Sequence, residues 1–195
     1  MITVRRLTSD RQRVGGHRTR ISILALALAF GAMSVFAAGV GAASQPVRTL
    51  AAADQLETQV LVELNGIRRR HGLTPLRLSR PLSTAADAHS RAMGRFGFFD
   101  HDSRDGSEFW QRVQRFYTPD GYRSWSVGEN LLWSSGTLDA AAALKLWMGS
   151  PGHRKNILTA RWREIGLSAL KVSSAPGVYG GRDVVIITTD FGVRS

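Results

Sequence analysis

The sequence predicts an α+β domain in which helices cover an antiparallel sheet. In its first half, apolar residues recur at helical spacing, as at Leu56, Val60, Leu64 and Ile67. In its second half, residues 184–189 (VVIITT) form a β-branched run, which is typical of a strand. The links between the expected elements are short, so helices and strands that follow one another should pack side by side.

The same patterns give the order of the elements. The first helix is expected to start at Asp54, which has the spacing of a capping box with Glu57, and to end at Gly72 before Pro75. Further helices are expected at residues 81–94, 107–116 and 137–148, and strands at residues 127–133, 164–172 and 184–189.

Length and composition indicate one globular domain. The chain has 195 residues, of which 43% are hydrophobic and 21% charged. It has no Cys, which excludes a disulfide scaffold, a Cys-ligated zinc site, an iron–sulfur cluster and a thiol nucleophile. We divide the chain into a targeting segment at residues 1–43, a linker at residues 44–52 and a folded domain at residues 53–195.

The N-terminal segment has the three parts of a secretory signal. Six Arg residues precede an uncharged stretch at residues 21–40, and small residues follow at Gly41, Ala42 and Ala43. Cleavage after Ala42 or Ala43 is expected. The alternative is an uncleaved anchor, because an apolar stretch of about 20 residues can also span a bilayer. Either reading predicts an exported domain that is extracellular, periplasmic or associated with the cell envelope, with membrane contact only through this segment.

The charge of the chain is unevenly distributed. The formal net charge is +11, but residues 44–195 hold 20 Lys and Arg against 14 Asp and Glu, which leaves +6 for the domain. A moderately basic domain suits anionic envelope polymers or lipid headgroups as partners. The Arg residues are scattered and no recognition motif accompanies them, so we expect no nucleic-acid partner.

Four His residues lie in the domain, and they have different contexts. His71 follows the first helix, where a capping role is expected, and His89 lies on the inner face of the second helix, where a hydrogen-bonded core role is expected. His101 and His153 instead occupy polar stretches next to structural breaks, FFDHDSRDG and GSPGHRKN. Loops held by a rigid scaffold are where binding residues concentrate, so these two are the candidates for chemistry.

A carboxylate accompanies these two His residues. Glu129 enters an otherwise apolar strand, and burial of a charge there is costly unless it is paired. If His101, His153 and Glu129 converge, they suit a divalent transition metal or an acid–base pair equally well. Their spacing in the sequence does not decide between the two.

Several motifs taken together carry a family resemblance. They are GEN at residues 128–130, WMGSPGHRKNIL at residues 147–158, REIGLSAL at residues 163–170 and the closing FG at residues 191–192. In this order the chain resembles the CAP superfamily of cysteine-rich secretory, antigen 5 and pathogenesis-related proteins, in its bacterial cysteine-free branch. The resemblance covers nearly all of residues 55–192. It implies an α-β-α sandwich with a central three-stranded antiparallel sheet.

The resemblance also implies an open cleft that gathers two His and two acidic residues. Carried over by position, the first three are His101, Glu129 and His153. The fourth is a Glu in many relatives, three residues after the motif Trp147, and here that position holds Ser150. Since a hydroxyl is a poor neutral ligand, the expected cofactor is at most a weakly bound Zn²⁺ or Cu²⁺ held by His101 and His153.

Three functions remain open from the sequence. The first is an exported, non-catalytic binding module whose cleft holds a divalent metal together with a lipid or cell-envelope ligand. The second is a hydrolase of the peptidase class, in which Glu129 and His101 or His153 would act as acid and base. The third, which overlaps the first, is an envelope-associated structural or interaction protein that uses its basic surface on anionic polymers. The chain has no G-x-S-x-G elbow and no H-E-x-x-H zinc signature, which favours the binding module.

Overall fold

A computed structural model describes residues 5–8 and 48–195. The uncharged stretch at residues 21–40 and the expected cleavage site after Ala42 or Ala43 lie outside the described residues. In the described ranges the helices are α1 Arg48–Arg70, α2 Arg80–Phe96, α3 Phe109–Gln114, α4 Ala140–Gly149 and α5 Pro151–Ile157. The strands are β1 Arg5–Thr8, β2 Arg77–Leu78, β3 Ser124–Ser135, β4 Glu164–Ala175 and β5 Arg182–Arg194, with a single 3₁₀ turn at Gly177–Tyr179.

Helix α1 begins earlier than the capping signal at Asp54 indicated. It starts at Arg48, so residues 48–52 of the expected linker are helical. Residues 50–53 read Leu-Ala-Ala-Ala, and strong helix formers extend a helix past an internal residue that would otherwise cap it. The end of the helix agrees with expectation, because Gly72 follows it with φ at 68°, the left-handed conformation that glycine adopts without strain.

The sheet has the expected antiparallel centre with an additional strand at each edge. The strand order is β1-β3-β5-β4-β2, and β5 pairs antiparallel with both β3 and β4. The predicted three-stranded antiparallel sheet is present as β3, β5 and β4, and the sheet as a whole is mixed because β2 pairs parallel with β4 at one edge. A two-residue strand has no alternation of apolar and polar residues, so the sequence carries no signal for it.

Helices pack against both faces of this sheet. Alternate residues of β5 point to opposite layers, as the two-residue period of a strand requires. Val185 and Ile187 join the core formed with α1 and α4, whereas Val184 and Ile186 pack with Met93 of α2. The α-β-α sandwich is thereby confirmed.

Helix α5 is an element that the sequence analysis missed. We expected Pro151 and Gly152 to end the preceding helix and to begin a loop that carries His153. Instead, Pro151 starts a second helix that directly follows α4. Pro is well tolerated at the first position of a helix, where its missing N–H has no intrahelical partner to lose. His153 therefore lies in the first turn of a helix rather than in a loop.

Candidate functional site

The site lies along an open stretch of the outer edge of β3. Strand β1 pairs with residues 124–127 of β3, and within the described ranges no strand pairs with the outer edge beyond residue 127. Glu129 and Asn130 occupy this stretch, and their side chains point to opposite faces of the sheet. Groups from both helical layers can therefore meet around this edge.

Glu129 is the central residue of the site. Its side chain is 1% exposed, and Oε1 accepts a hydrogen bond of 2.8 Å from Nδ1 of His101. Oε2 accepts a hydrogen bond from the Arg112 guanidinium, which makes a buried ion pair. The structure thus brings His101 and Glu129 into direct contact and leaves both carboxylate oxygens of Glu129 hydrogen-bonded.

Arg112 is a site residue that the sequence analysis did not identify. It lies on α3, a six-residue helix that starts with a reciprocal capping box between Glu108 and Gln111. Its Nη1 also donates to the carbonyl oxygen of His101 at 3.1 Å. Arg112 comes three residues after the buried Phe109, so its place on an inward helical face was the signal available in the sequence.

The pKa of Glu129 is set by opposing effects. Burial by itself raises the pKa of this carboxyl, but the charge of Arg112 and the hydrogen bond from His101 outweigh burial and lower it. Glu129 is therefore a carboxylate at neutral pH, held in place by two donors.

A second buried acid, Asp190, lies directly across from Glu129. The two residues are register partners in the pairing of β3 with β5, and Asp190 is 0% exposed. No N–H or hydroxyl group of the described residues donates to either of its carboxyl oxygens. Burial and the neighbouring charge of Glu129 raise the pKa of Asp190 well above its ordinary value. The raised pKa favours the protonated form of Asp190, which can donate its proton to Glu129 and avoids a second negative charge beside it.

His89 supports the loop that carries His101. It is 1% exposed, and its Nε2 donates to the carbonyl oxygen of Asp100 at 2.8 Å. Burial lowers the pKa of His89 to about 4, so the ring is neutral at physiological pH. The expected role as a hydrogen-bonded core residue is confirmed, and the bond fixes the residue immediately before His101.

His153 lies in the first turn of α5, and its backbone is hydrogen-bonded to Asn130 of β3. The side-chain amide of Asn130 donates to the carbonyl oxygen of His153 at 3.2 Å and accepts from Asn156 at 3.0 Å. Burial lowers the pKa of His153, and the nearby His101 lowers it further. Ser150 immediately precedes α5, and among the described residues its hydroxyl makes no hydrogen bond with His101, Glu129 or His153.

The available donors fit an open metal site better than a closed one. Because Nδ1 of His101 donates to Glu129, the neutral ring keeps a free lone pair on Nε2. The imidazole of His153 is the second neutral nitrogen donor, whereas both oxygens of Glu129 are already engaged. In the part of the chain that the structure covers, no group of three or more His, Cys, Asp or Glu is arranged to hold a metal. His101 and His153 would thus supply two ligands and leave other positions to water or a bound molecule.

Comparison with known protein families identifies the family of this chain. The profile of the cysteine-rich secretory protein (CAP) family matches residues 61–187, which include His101, Glu129 and His153. The chain belongs to this family. The CAP assignment confirms the resemblance drawn from the GEN and SPGHRKNIL motifs.

Two relatives come from Bacillus subtilis. YkwD is 32% identical over 118 residues, which cover 60% of this chain and 44% of that protein. The membrane protein YlbC is 30% identical over 112 residues, which cover 57% of this chain and 30% of that protein. The CAP chain therefore spans less than half the length of either relative.

Solved structures of bacterial proteins share the fold. An extracellular protein containing an SCP domain from Bacillus anthracis is 28% identical, with a TM-score of 0.58 over 75% of this chain and 43% of that chain. An outer surface protein of Borrelia burgdorferi is 18% identical, with a TM-score of 0.58 over 72% of this chain and 94% of that chain. None of the helices in the described ranges is long and apolar enough to cross a membrane.

Proposed function

We propose that this CAP chain is an exported, non-catalytic binding module. Its cleft at the open edge of β3 would hold a divalent transition metal and a lipid or polymer of the cell envelope. The observation that carries the proposal is the state of Glu129, whose two oxygens are bonded to His101 and Arg112 in a buried ion pair. A carboxylate locked in this way serves to position His101 and is not free to act as an acid or base on a substrate.

The chemistry of the cleft follows from its two imidazoles. Neutral nitrogen donors suit Zn²⁺ and Cu²⁺, and a metal bound by two protein ligands supplies open coordination positions for an anionic or polar ligand. Glu129 fixes the tautomer and the orientation of the His101 ring, as carboxylates do behind metal-binding His residues. Asn130 holds the backbone of His153 beside the same strand.

Metal titration tests the cleft. We expect Zn²⁺ or Cu²⁺ to bind reversibly to the wild-type protein in isothermal titration calorimetry at pH 7.5. His101→Ala and His153→Ala should each weaken binding at least about tenfold, because each removes one of two ligands. His71→Ala is the matched control, since His71 is exposed and follows the end of α1. Unchanged affinity in both cleft variants would place the metal elsewhere.

Acid should weaken the same binding, because a protonated imidazole cannot donate to a metal. An ordinary His takes up its proton near pH 6.5. Burial lowers the pKa of His153, so its loss as a ligand should occur at lower pH than that. Ser150→Glu should tighten binding, because the first residue before a helix lies close to the third residue of the helix, which here is His153.

The proposal of export is tested at the N-terminus. We expect N-terminal sequencing of the protein recovered outside the cytoplasm to start at Ala43 or Ser44. An intact Met1 in the membrane fraction would instead indicate the uncleaved anchor, and a cytoplasmic pool alone would contradict export.

A hydrolase is the second candidate, and one contact favours it. The hydrogen bond from Nδ1 of His101 to Glu129 is the arrangement that orients a general base. Against it, no hydroxyl group of the described residues hydrogen-bonds to the His101 or His153 ring. Turnover of a peptide library that is abolished in His101→Ala, Glu129→Gln and His153→Ala, with the fold retained, would establish catalysis and overturn the binding module.

A further inference from the structure

A long segment of this chain carries only positive charge. Residues 140–163, which cover α4, α5 and the loop before β4, contain five Lys and Arg and no Asp or Glu. The end of α1 adds three consecutive Arg residues, Arg68, Arg69 and Arg70. These two parts of the sequence hold much of the excess of cations in the domain.

Arg68 joins these two segments in space. It is 0% exposed, and its Nη1 donates to the carbonyl oxygens of Ile157 at 2.6 Å and Thr159 at 3.1 Å. Its Nε donates to the carbonyl oxygen of Thr74 at 2.9 Å. Burial lowers the pKa of Arg68, and the charge of Arg163 lowers it further. The end of α1 is thus fixed beside the end of α5.

An open groove lies on this basic face. It has a volume of about 620 Å³ and lies at the corner between α4 and α5. Met148, Pro151 and Leu158 form its apolar lining, and Arg154 and Lys155 are its charged residues. Both cations are exposed, so their charged groups are accessible to a molecule in the groove.

The two charged residues of the groove, Arg154 and Lys155, form none of the ion pairs between the described residues. The ion pairs between described residues involve Arg77, Arg91, His101 and Arg112, and none of these lines the groove. Glu164, the nearest acid in sequence, accepts a hydrogen bond from Tyr117 and pairs with Arg77. Uncompensated charge on neighbouring elements attracts a ligand with several negative charges.

We infer that this face, formed by the α4–α5 groove and the exposed arginines at the end of α1, binds an extended polymer that carries phosphate groups. Arg recognises phosphate through paired N–H donors, and Lys recognises it as a point charge. Cations on two elements match repeated anionic groups along a chain better than they match a single anion. Met148 and Leu158 are partly buried against the core and do not protrude, which disfavours insertion into a bilayer.

The inference concerns a surface distinct from the metal ligands. It goes beyond the proposed function, because it assigns a ligand to a different surface, and it depends neither on a metal nor on the ligand of the cleft at β3. His153→Ala, which should remove metal binding, should leave polymer binding unchanged. Failure of one proposal is therefore distinguishable from failure of the other.

Titration with long-chain inorganic polyphosphate at several salt concentrations tests the inference. We expect the double variant Arg154→Gln/Lys155→Gln to bind about tenfold more weakly than wild type, with the logarithmic salt dependence reduced by about 1.4, because two cations no longer release counterions. The matched control is Arg115→Gln/Arg123→Gln, which removes the same charge from exposed positions outside this face. It should keep most of the affinity. Orthophosphate should bind far more weakly than the polymer.

Three results would overturn the inference. They are the absence of polyphosphate binding, an equal loss in the groove variant and the control variant, and tighter binding to phosphatidylglycerol vesicles than to the polymer through the same residues. The second result would indicate attraction by net charge alone, and the third would assign the face to a membrane.

Discussion

Replacing Arg112 with Met is expected to lower the free energy of unfolding by about 3–5 kcal/mol at pH 7, because it leaves a buried carboxylate without its counter-charge. Glu129 is 1% exposed and would lose the guanidinium that neutralises it, while keeping its bond from His101. Arg91→Met is the matched control, since Arg91 pairs with Asp87 at 2.7 Å on the exposed surface of α2. An exposed pair contributes at most about 1 kcal/mol. Urea unfolding of the three proteins measures both effects.

The loss of unfolding free energy in Arg112→Met should become smaller as the pH is lowered. In the wild type the pKa of Glu129 is lowered, so its ion pair stabilises the fold above the pKa of an unfolded Glu, about 4.3. That contribution disappears as pH falls through the lowered folded value. In the variant, burial without Arg112 favours the protonated carboxyl, so the penalty falls as the pH is lowered toward the unfolded pKa. Equal losses for Arg112→Met and Arg91→Met at pH 7 would contradict the structural role of Arg112.

Gly166→Ala is expected to destabilise the domain severely, with a loss of about 4 kcal/mol or more, or no folded protein. Gly166 lies on β4 where α2 crosses the sheet. A Cβ there would lie 2.0 Å from the carbonyl carbon of Leu82 and 2.2 Å from the backbone nitrogen of Ser83. Backbone atoms of a packed helix cannot move aside as a flexible side chain can.

Substitutions at two other glycines serve as comparisons for Gly166→Ala. A Cβ at Gly94 would meet a methyl group of Val172 at 2.7 Å, which a side-chain shift can partly relieve, so Gly94→Ala should cost less. Gly149 is exposed at the end of α4 with no atom within 4 Å of the added Cβ, and Gly149→Ala should raise stability slightly. Chemical denaturation gives the order, and a Gly166→Ala protein as stable as the wild type would disprove the close approach.

The sequence predicted the helices and central strands because their apolar periodicity is long. The sequence did not predict elements that are short, or elements whose first residue usually ends a helix. Strand β2 has two residues, and α5 begins with Pro151, which marks the end of one helix and the first residue of the next. Both elements depend on tertiary pairing rather than on a local pattern.

The candidate site was predicted in part. His101, Glu129 and His153 came from the family motifs, and the contact between His101 and Glu129 exists in the structure. Arg112 and Asp190 were not found, because their role depends on contacts across the fold. Arg112 is 17 residues from the Glu129 that it neutralises. Asp190 follows a β-branched run. It lies opposite Glu129 only because of the register between β3 and β5, and nothing in the sequence predicts that register.

The raised pKa of Asp190 changes the charge that the domain presents to its surroundings. A formal count gives every acid a full negative charge and yields +6 for residues 44–195. Because burial and the neighbouring Glu129 favour the protonated form of Asp190, the domain is more basic than this count indicates. Anions within the screening distance of about 8 Å at physiological salt are therefore attracted more strongly than the sequence implies.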